Sequence, residues 1–286
     1  MSLWADLISE NPMMIEVRRS RRRFFGGGPK GAAMIAVFVL GAIGYLGLLL
    51  LIGYASGAFS PLVIVMLQTG IIALAGPSLL NAAIAGEREK RTWDLLLVAP
   101  VTRAQILVGK FAGAMSNLLF CAVLFALPIF ICASGFARTN LFALGLAEFN
   151  SLSFGLFVCG LSLFFSARCR RPFMALAISM GLLLTGLIIY PTLLGGLFGG
   201  DQLSGDVAML LHPFHAQSKL FLLERDLSYA YGTPWDEGYI GISPVIFTMT
   251  QSLVFIGLAV VLLVWAERTL NWSDREVKFL PKAPHA

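Results

Sequence analysis

The chain has 286 residues, 57% of them hydrophobic and only 13% charged, with a formal net charge of +5. A soluble domain needs about a quarter of its residues charged to cover its surface, so this composition excludes water as the main solvent. The four cysteines, Cys121, Cys132, Cys159 and Cys169, have no C-x-x-C spacing and three lie in apolar runs, which points to neither a disulfide framework nor a zinc site.

In chain order, Asn11 and Pro12 read as the cap and first position of a helix. Met13, Val17 and Phe24 then fall on one side, while Arg18, Arg19, Arg21, Arg22 and Arg23 spread around the rest. Such a helix lies along a membrane surface, where each basic residue near anionic lipid contributes about 1 kcal/mol. Gly26, Gly27, Gly28 and Pro29 allow a turn into the bilayer. Six apolar runs follow, at 32–54, 61–85, 111–136, 144–165, 173–198 and 244–265. Each meets the roughly 20 residues that cross a hydrocarbon core. They are continuous rather than alternating, so helices are expected and a barrel is not. The first run is too long for a cleavable signal and is expected to remain as the first span.

Within these runs, Gly41, Gly44 and Gly47, and then Gly109 and Gly113, offer faces for close helix approach. Pro77 and Pro191 are expected to kink their helices. The segment 199–243 is acidic, and its aromatics Tyr229, Tyr231, Trp235 and Tyr239 suggest a part that dips into the membrane interface. With both ends in the cytoplasm, 18 of the 21 Lys and Arg residues fall on the cytoplasmic side and only Arg138, Lys219 and Arg225 outside, as the positive-inside rule requires. The expected organisation is a cytoplasmic N-terminus with its amphipathic interfacial helix at 1–30, a six-helix transmembrane domain at 31–266, and a cytoplasmic tail at 267–286. The domain includes a cytoplasmic loop at 86–103 and the extracytoplasmic segment 199–243. The basic balance implies membrane lipids and a cytoplasmic partner, not nucleic acid.

The loop between the second and third spans is the most informative stretch. Thr92 can cap a short helix that Pro100 stops, and Thr102 with Gln105 has the spacing of a capping box opening the third span. Trp93 and the apolar residues 95–98 have no covering domain in this reading, and exposed apolar surface of that kind marks a partner site. The residues Glu87, Glu89, Thr92, Leu95, Leu96, Pro100, Gly109 and Lys110 match an E-x-E-x-x-T-x-x-L-L, P, G-K pattern. The segment thereby resembles the type-2 ABC transporter permease family, as do Asn11, Pro12, Glu16 and the arginines after them. The resemblance implies an all-α membrane fold, a second permease subunit in a homo- or heterodimer, and a cytoplasmic nucleotide-binding ATPase subunit that carries the ATP and Mg. It implies docking on that ATPase for Glu87, Glu89, Thr92, Trp93, Leu95, Leu96 and Pro100, with multi-pass residence in the cell (inner) membrane.

Other chemistry finds little support. No G-x-x-x-x-G-K-[ST] loop occurs, and Lys110 is followed by Phe111, so this chain is not expected to bind a nucleotide cofactor or hydrolyse ATP itself. H-E-x-x-H and G-x-S-x-G are absent. His212 and His215 lack a third ligand for a metal. Glu148 is the acid placed within a span, and an interfacial position is its cheaper account. Gln68, Asn81, Asn117 and Gln251 are expected to make interhelical hydrogen bonds. The reading is the permease subunit of an ATP-driven exporter of amphipathic or lipid-like cargo. A secondary transporter or channel without an ATPase is the alternative, and a membrane scaffold a third class.

Overall fold

A computed structural model describes residues 11, 29–56, 61–93, 96, 101–135, 140–198, 202–225 and 242–278, and its regular elements are all helical. The helices are α1 (Pro29–Ser56), α2 (Pro61–Leu80), α3 (Ala85–Glu89), α4 (Arg103–Gly135), α5 (Leu141–Arg168), α6 (Pro172–Leu184), α7 (Tyr190–Phe198), α8 (Gln202–Ala208), α9 (Pro213–Arg225) and α10 (Pro244–Lys278). A π turn, Thr185–Ile189, joins α6 to α7. Pro29, Pro61, Pro172, Pro213 and Pro244 each open a helix, where the missing amide proton costs nothing and the fixed φ is already helical. Asn140 caps α5, its side chain accepting from the amides of Phe142 and Ala143 at 3.0 and 3.4 Å.

Among the described residues, five stretches are long and apolar enough to cross a membrane: Pro61–Glu89, Arg103–Ser134, Leu141–Arg168, Pro172–Leu197 and Pro244–Leu270. The chain is therefore a multi-pass membrane protein. The first apolar run of the sequence, 32–54, lies within α1, whose shorter apolar stretch is Val39–Leu51.

Helix α5 is the most buried of the five and packs against α2, α4, α6, α9 and α10. Small residues make this possible. A Cβ on Gly76 of α2 would meet Val158 Cγ1 at 2.5 Å, and one on Gly160 of α5 would meet the Ala259 backbone of α10 at 3.3 Å. Close approach was expected instead at Gly41, Gly44 and Gly47, which have nothing within 4 Å. Between α5 and α10, Phe154 and Phe157 lie 5.2 and 5.7 Å from Phe255, centroid to centroid, a geometry that adds to area burial. Outward faces are equally apolar, with Phe173 74% and Leu197 73% exposed, because lipid tails solvate such groups as well as a protein core does.

The two expected kinks take different forms. Beyond Pro77, α2 ends at Leu80 and a turn over 81–84 leads into α3. Two α5 hydroxyls serve this break: Ser162 donates to the Pro77 carbonyl at 3.0 Å and Ser166 to that of Asn81 at 2.9 Å. Ser166 also accepts from the amides of Ile84 and Ala85 at 3.0 and 3.1 Å. At Pro191 the disruption is the π turn just before it, and the Thr192 hydroxyl donates to the carbonyls of Ile188 and Ile189 at 3.1 and 2.8 Å.

The described part of the acidic segment packs into the protein itself. Asp206, Gln217, Lys219 and Leu220 are all buried. Asp206 accepts hydrogen bonds from Lys219, from the Ile242 amide at 3.0 Å and from His215 at 3.2 Å. Lys219 and His215 both lie against the Phe247 ring, 5.0 and 5.3 Å from its centroid. Burial works against the Asp206 charge, but the hydrogen bonds from Lys219 and His215 outweigh it and hold the carboxyl below the usual carboxylate range. Burial pushes the His212 imidazole down, favouring its neutral form, 3.2 Å from the Leu187 carbonyl. Tyr229, Tyr231, Trp235 and Tyr239 lie outside the described residues.

Candidate functional site: the loop between α3 and α4

Helix α3 is a single turn whose end is built like a Schellman cap. The Thr92 amide reaches back to the Glu87 carbonyl at 2.9 Å and the Arg91 amide to that of Arg88 at 3.1 Å. Arg91 takes the left-handed position with φ 58°, which usually goes to glycine because a Cβ there is crowded. Thr92 then opens the next turn, its carbonyl accepting from the Leu96 amide at 3.3 Å.

A carboxylate clasp holds this geometry. Glu87 accepts from the Thr92 hydroxyl through one oxygen, and from Lys110 of α4 at 3.2 Å through the other. Two residues of the sequence pattern, Glu87 and Thr92, thus lock onto a third, Lys110, 23 positions along the chain from Glu87. Lys110 carried no role in the sequence reading; its neighbourhood with Gly109 in the pattern was the available signal. Ser166, which ties the start of α3 to α5, left no local signal at all. The Thr102 and Gln105 box forms as its spacing predicts, with the Thr102 amide donating to the Gln105 side chain at 2.8 Å and the Gln105 amide to the Thr102 hydroxyl at 3.3 Å. Buried Asn11 donates to the Gln105 carbonyl at 2.8 Å, joining the N-terminal region to the same corner.

The expectation of an exposed apolar face needs correction. Trp93 is only 6% exposed and belongs to the chain's own core with Leu80, Ile84, Ile106, Leu107 and Leu270. Leu96 and Val101 pack against the same cluster. The start of α4 and the far end of α10 supply the cover that the sequence seemed to lack. The Arg88 guanidinium stands 5.6 Å from the centroid of the Trp93 ring, a cation–π contact closing the surface side. Among the described residues of the loop, Glu89, Lys90 and Arg91 are exposed, as are Arg168, Arg170 and Arg171 around the α5–α6 junction, where a Cβ on Gly86 would lie 3.9 Å from Pro172. Leu95 and Pro100 lie outside the described residues, and so do Arg18, Arg19 and Arg22 of the interfacial helix.

Residues 63–268, well over half the chain and including this loop, match the family model described as ABC-2 family transporter protein. The chain belongs to that family. A comparison with curated proteins gave no match. As an ABC-2 permease the chain is a transmembrane component of a transporter, a class that generally works with an ATP-binding subunit and is generally not catalytic itself. No group of three or more potential metal ligands occurs among the described residues; His212 and His215 face different partners, the Leu187 carbonyl and Asp206.

Proposed function

We propose that this ABC-2 permease is an exporter subunit whose loop 86–103 docks on a cytoplasmic ATPase and transmits its movement to the spans. The observation that carries the reading is the double tether of the loop. Glu87 clasps it to α4 through Lys110, and Ser166 joins the start of α3 to α5. A partner that displaces Glu89, Lys90 or Arg91 therefore moves two spans, because packed helices shift as bodies. In this reading docking falls to the charged residues Glu89, Lys90 and Arg91, a choice supported by their exposure, while Trp93 and Leu96 brace them from within.

In this reading α1 is the first of six spans, preceded by a surface helix bearing Arg18, Arg19 and Arg22, and both termini lie in the cytoplasm. The transmembrane domain covers 31–266 and residues 199–243 face outward. The basic bias of the loops supports that orientation. Two permease copies, identical or not, form the pathway in the inner cell membrane, and ATP and Mg reside on the partner because no phosphate-binding motif is present here.

The test is co-purification in detergent with a co-expressed ATPase subunit. Glu89→Arg reverses an exposed charge, and like charges brought together at an interface are strongly unfavourable. It is expected to reduce the retained ATPase about tenfold or more at unchanged permease abundance and melting temperature. Wild-type retention would remove the loop as the docking element. Leu96→Asp is expected to lower the melting temperature as well, because that side chain packs against the core.

A further inference from the structure

A cleft of about 640 Å³ lies between α1, α2 and α4, walled by apolar side chains such as Leu48, Leu67, Ile71, Ala75 and Phe125. Its volume falls within the range of roughly 300–1,000 Å³ typical of small-molecule sites. Gln68 lines it and is itself 7% exposed. Behind Gln68 stands Glu148 of α5, 8% exposed, accepting from the Gln68 side-chain amide at 2.9 Å. Glu148 is thus buried between helices. Tyr45, another lining residue, is an electrostatic neighbour of that carboxylate.

The polar atoms around this end are unbalanced. Gln68 Oε1, Glu148 Oε1 and, one helical turn further, Gln217 Oε1 are buried without a hydrogen-bond partner. The Gln217 amide is already committed, donating to Thr69 Oγ1 at 2.7 Å and to Ser151 Oγ at 3.0 Å. Every unpartnered group here is an acceptor, and among the described residues no cation pairs with Glu148. Lys219 is held by Asp206 instead. Glu148 lies seven residues into α5, about 10 Å along the helix, where a buried carboxylate is costly unless something positive meets it. An ammonium brings three donors and a positive charge, the complement of what is missing.

We propose that this cleft binds a long-chain amphiphile with a primary ammonium headgroup, the head at Gln68 with the Glu148 carboxylate directly behind it and the chain along the apolar walls. The proposal deepens the exporter reading, on which it rests for its purpose, by naming a cargo class. Purified permease in nonionic detergent, without any ATPase, is titrated with radiolabelled dodecylammonium, dodecanol and dodecyl sulfate. Saturable binding of the ammonium at least about tenfold tighter than the other two is expected, since an ion pair with donors replaces unpaired buried acceptors. Glu148→Gln removes that preference while leaving dodecanol unchanged. Ala75→Phe, which fills the cleft, weakens all three chains and remains informative with the headgroup series should Glu148→Gln fail to fold. Equal binding of the three probes, or an unchanged preference in Glu148→Gln, overturns the proposal. So does a Cys121 to Cys121 disulfide dimer, formed on mild oxidation and undiminished by the amine, because a second copy would then occupy the cleft that Cys121 lines. Since no ATPase is present, a negative result leaves loop docking standing, and loss of docking in Glu89→Arg leaves this site standing.

Discussion

Glu87 and Asp206 each bind a lysine and a second side-chain donor, yet they sit toward opposite ends of the bundle and in different surroundings. Asp206 and Lys219 have side chains 5% and 10% exposed and lie beside Phe247 near the start of α10. Glu87 and Lys110 are 31% and 22% exposed, next to the cluster that includes Leu270 near the far end of that helix. The contrast teaches that similar chemistry serves two purposes. A buried pair is costly to break because each partner would be stranded, so it suits a fixed cap. A partly exposed pair contributes little net energy because water replaces it easily, so it orients the loop rather than stabilising the fold.

Breaking the comparison at its stronger side should give the largest effect. Asp206→Ala leaves the Lys219 ammonium buried without its counter-charge, and a loss of about 3–5 kcal/mol of stability is expected, read as a fall in unfolding midpoint in detergent. The same pair fixes the pH behaviour. Because the folded Asp206 carboxyl is held below its unfolded value, its contribution is complete above the ordinary carboxylate range and is lost as pH falls through the still lower folded value. Hydrogen exchange at α8 and α9 should therefore show no Asp206-dependent change between about pH 7 and pH 5. A change in that window that persists in Asp206→Ala would assign it to another group.

An intermediate effect is expected at Ser166→Ala, which strips the Ile84 and Ala85 amides of their acceptor. Unsatisfied buried donors cost about 1–3 kcal/mol each, and the loss should be confined to α3, visible as faster exchange there with α8 and α9 unaffected. The smallest effect belongs to the clasp itself. A double-mutant cycle of Glu87→Gln and Lys110→Met should give a coupling of about 0.2–1 kcal/mol, and a value matching that of the Asp206 pair would erase the distinction between the two ends.

Five of the six expected spans and the capping box at Thr102 were legible because both are local patterns: a run of apolar residues, or two polar residues three apart. Which face of a span looks inward was not legible. In lipid both faces are apolar, so the contrast that marks a buried side in water disappears, and the three glycines of α1 looked no different from Gly76 and Gly160. Trp93 was misplaced for a related reason. Its cover includes Leu270, so distant in sequence that no pattern within the loop announces it. The acidic pair of the loop was legible as a motif, but that Glu87 turns inward to Lys110 while Glu89 stays outside required the left-handed turn at Arg91.

The π turn at Thr185–Ile189 has one more consequence. An extra residue in a turn rotates everything beyond it by about 100°, so the membrane-crossing stretch Pro172–Leu197 is a rod with two orientations. Below the turn, α6 packs on α5 and α2. Above it, α7 turns toward α8: the Tyr190 hydroxyl bonds to the Ala208 carbonyl, and a Cβ at Gly195 would meet Met209 at 3.2 Å. A single continuous helix thus belongs to two mechanical units, its lower half to the bundle and its upper half to the cap. The turn is the covalent link between those two units, alongside the packing of α9 on α5 and α10.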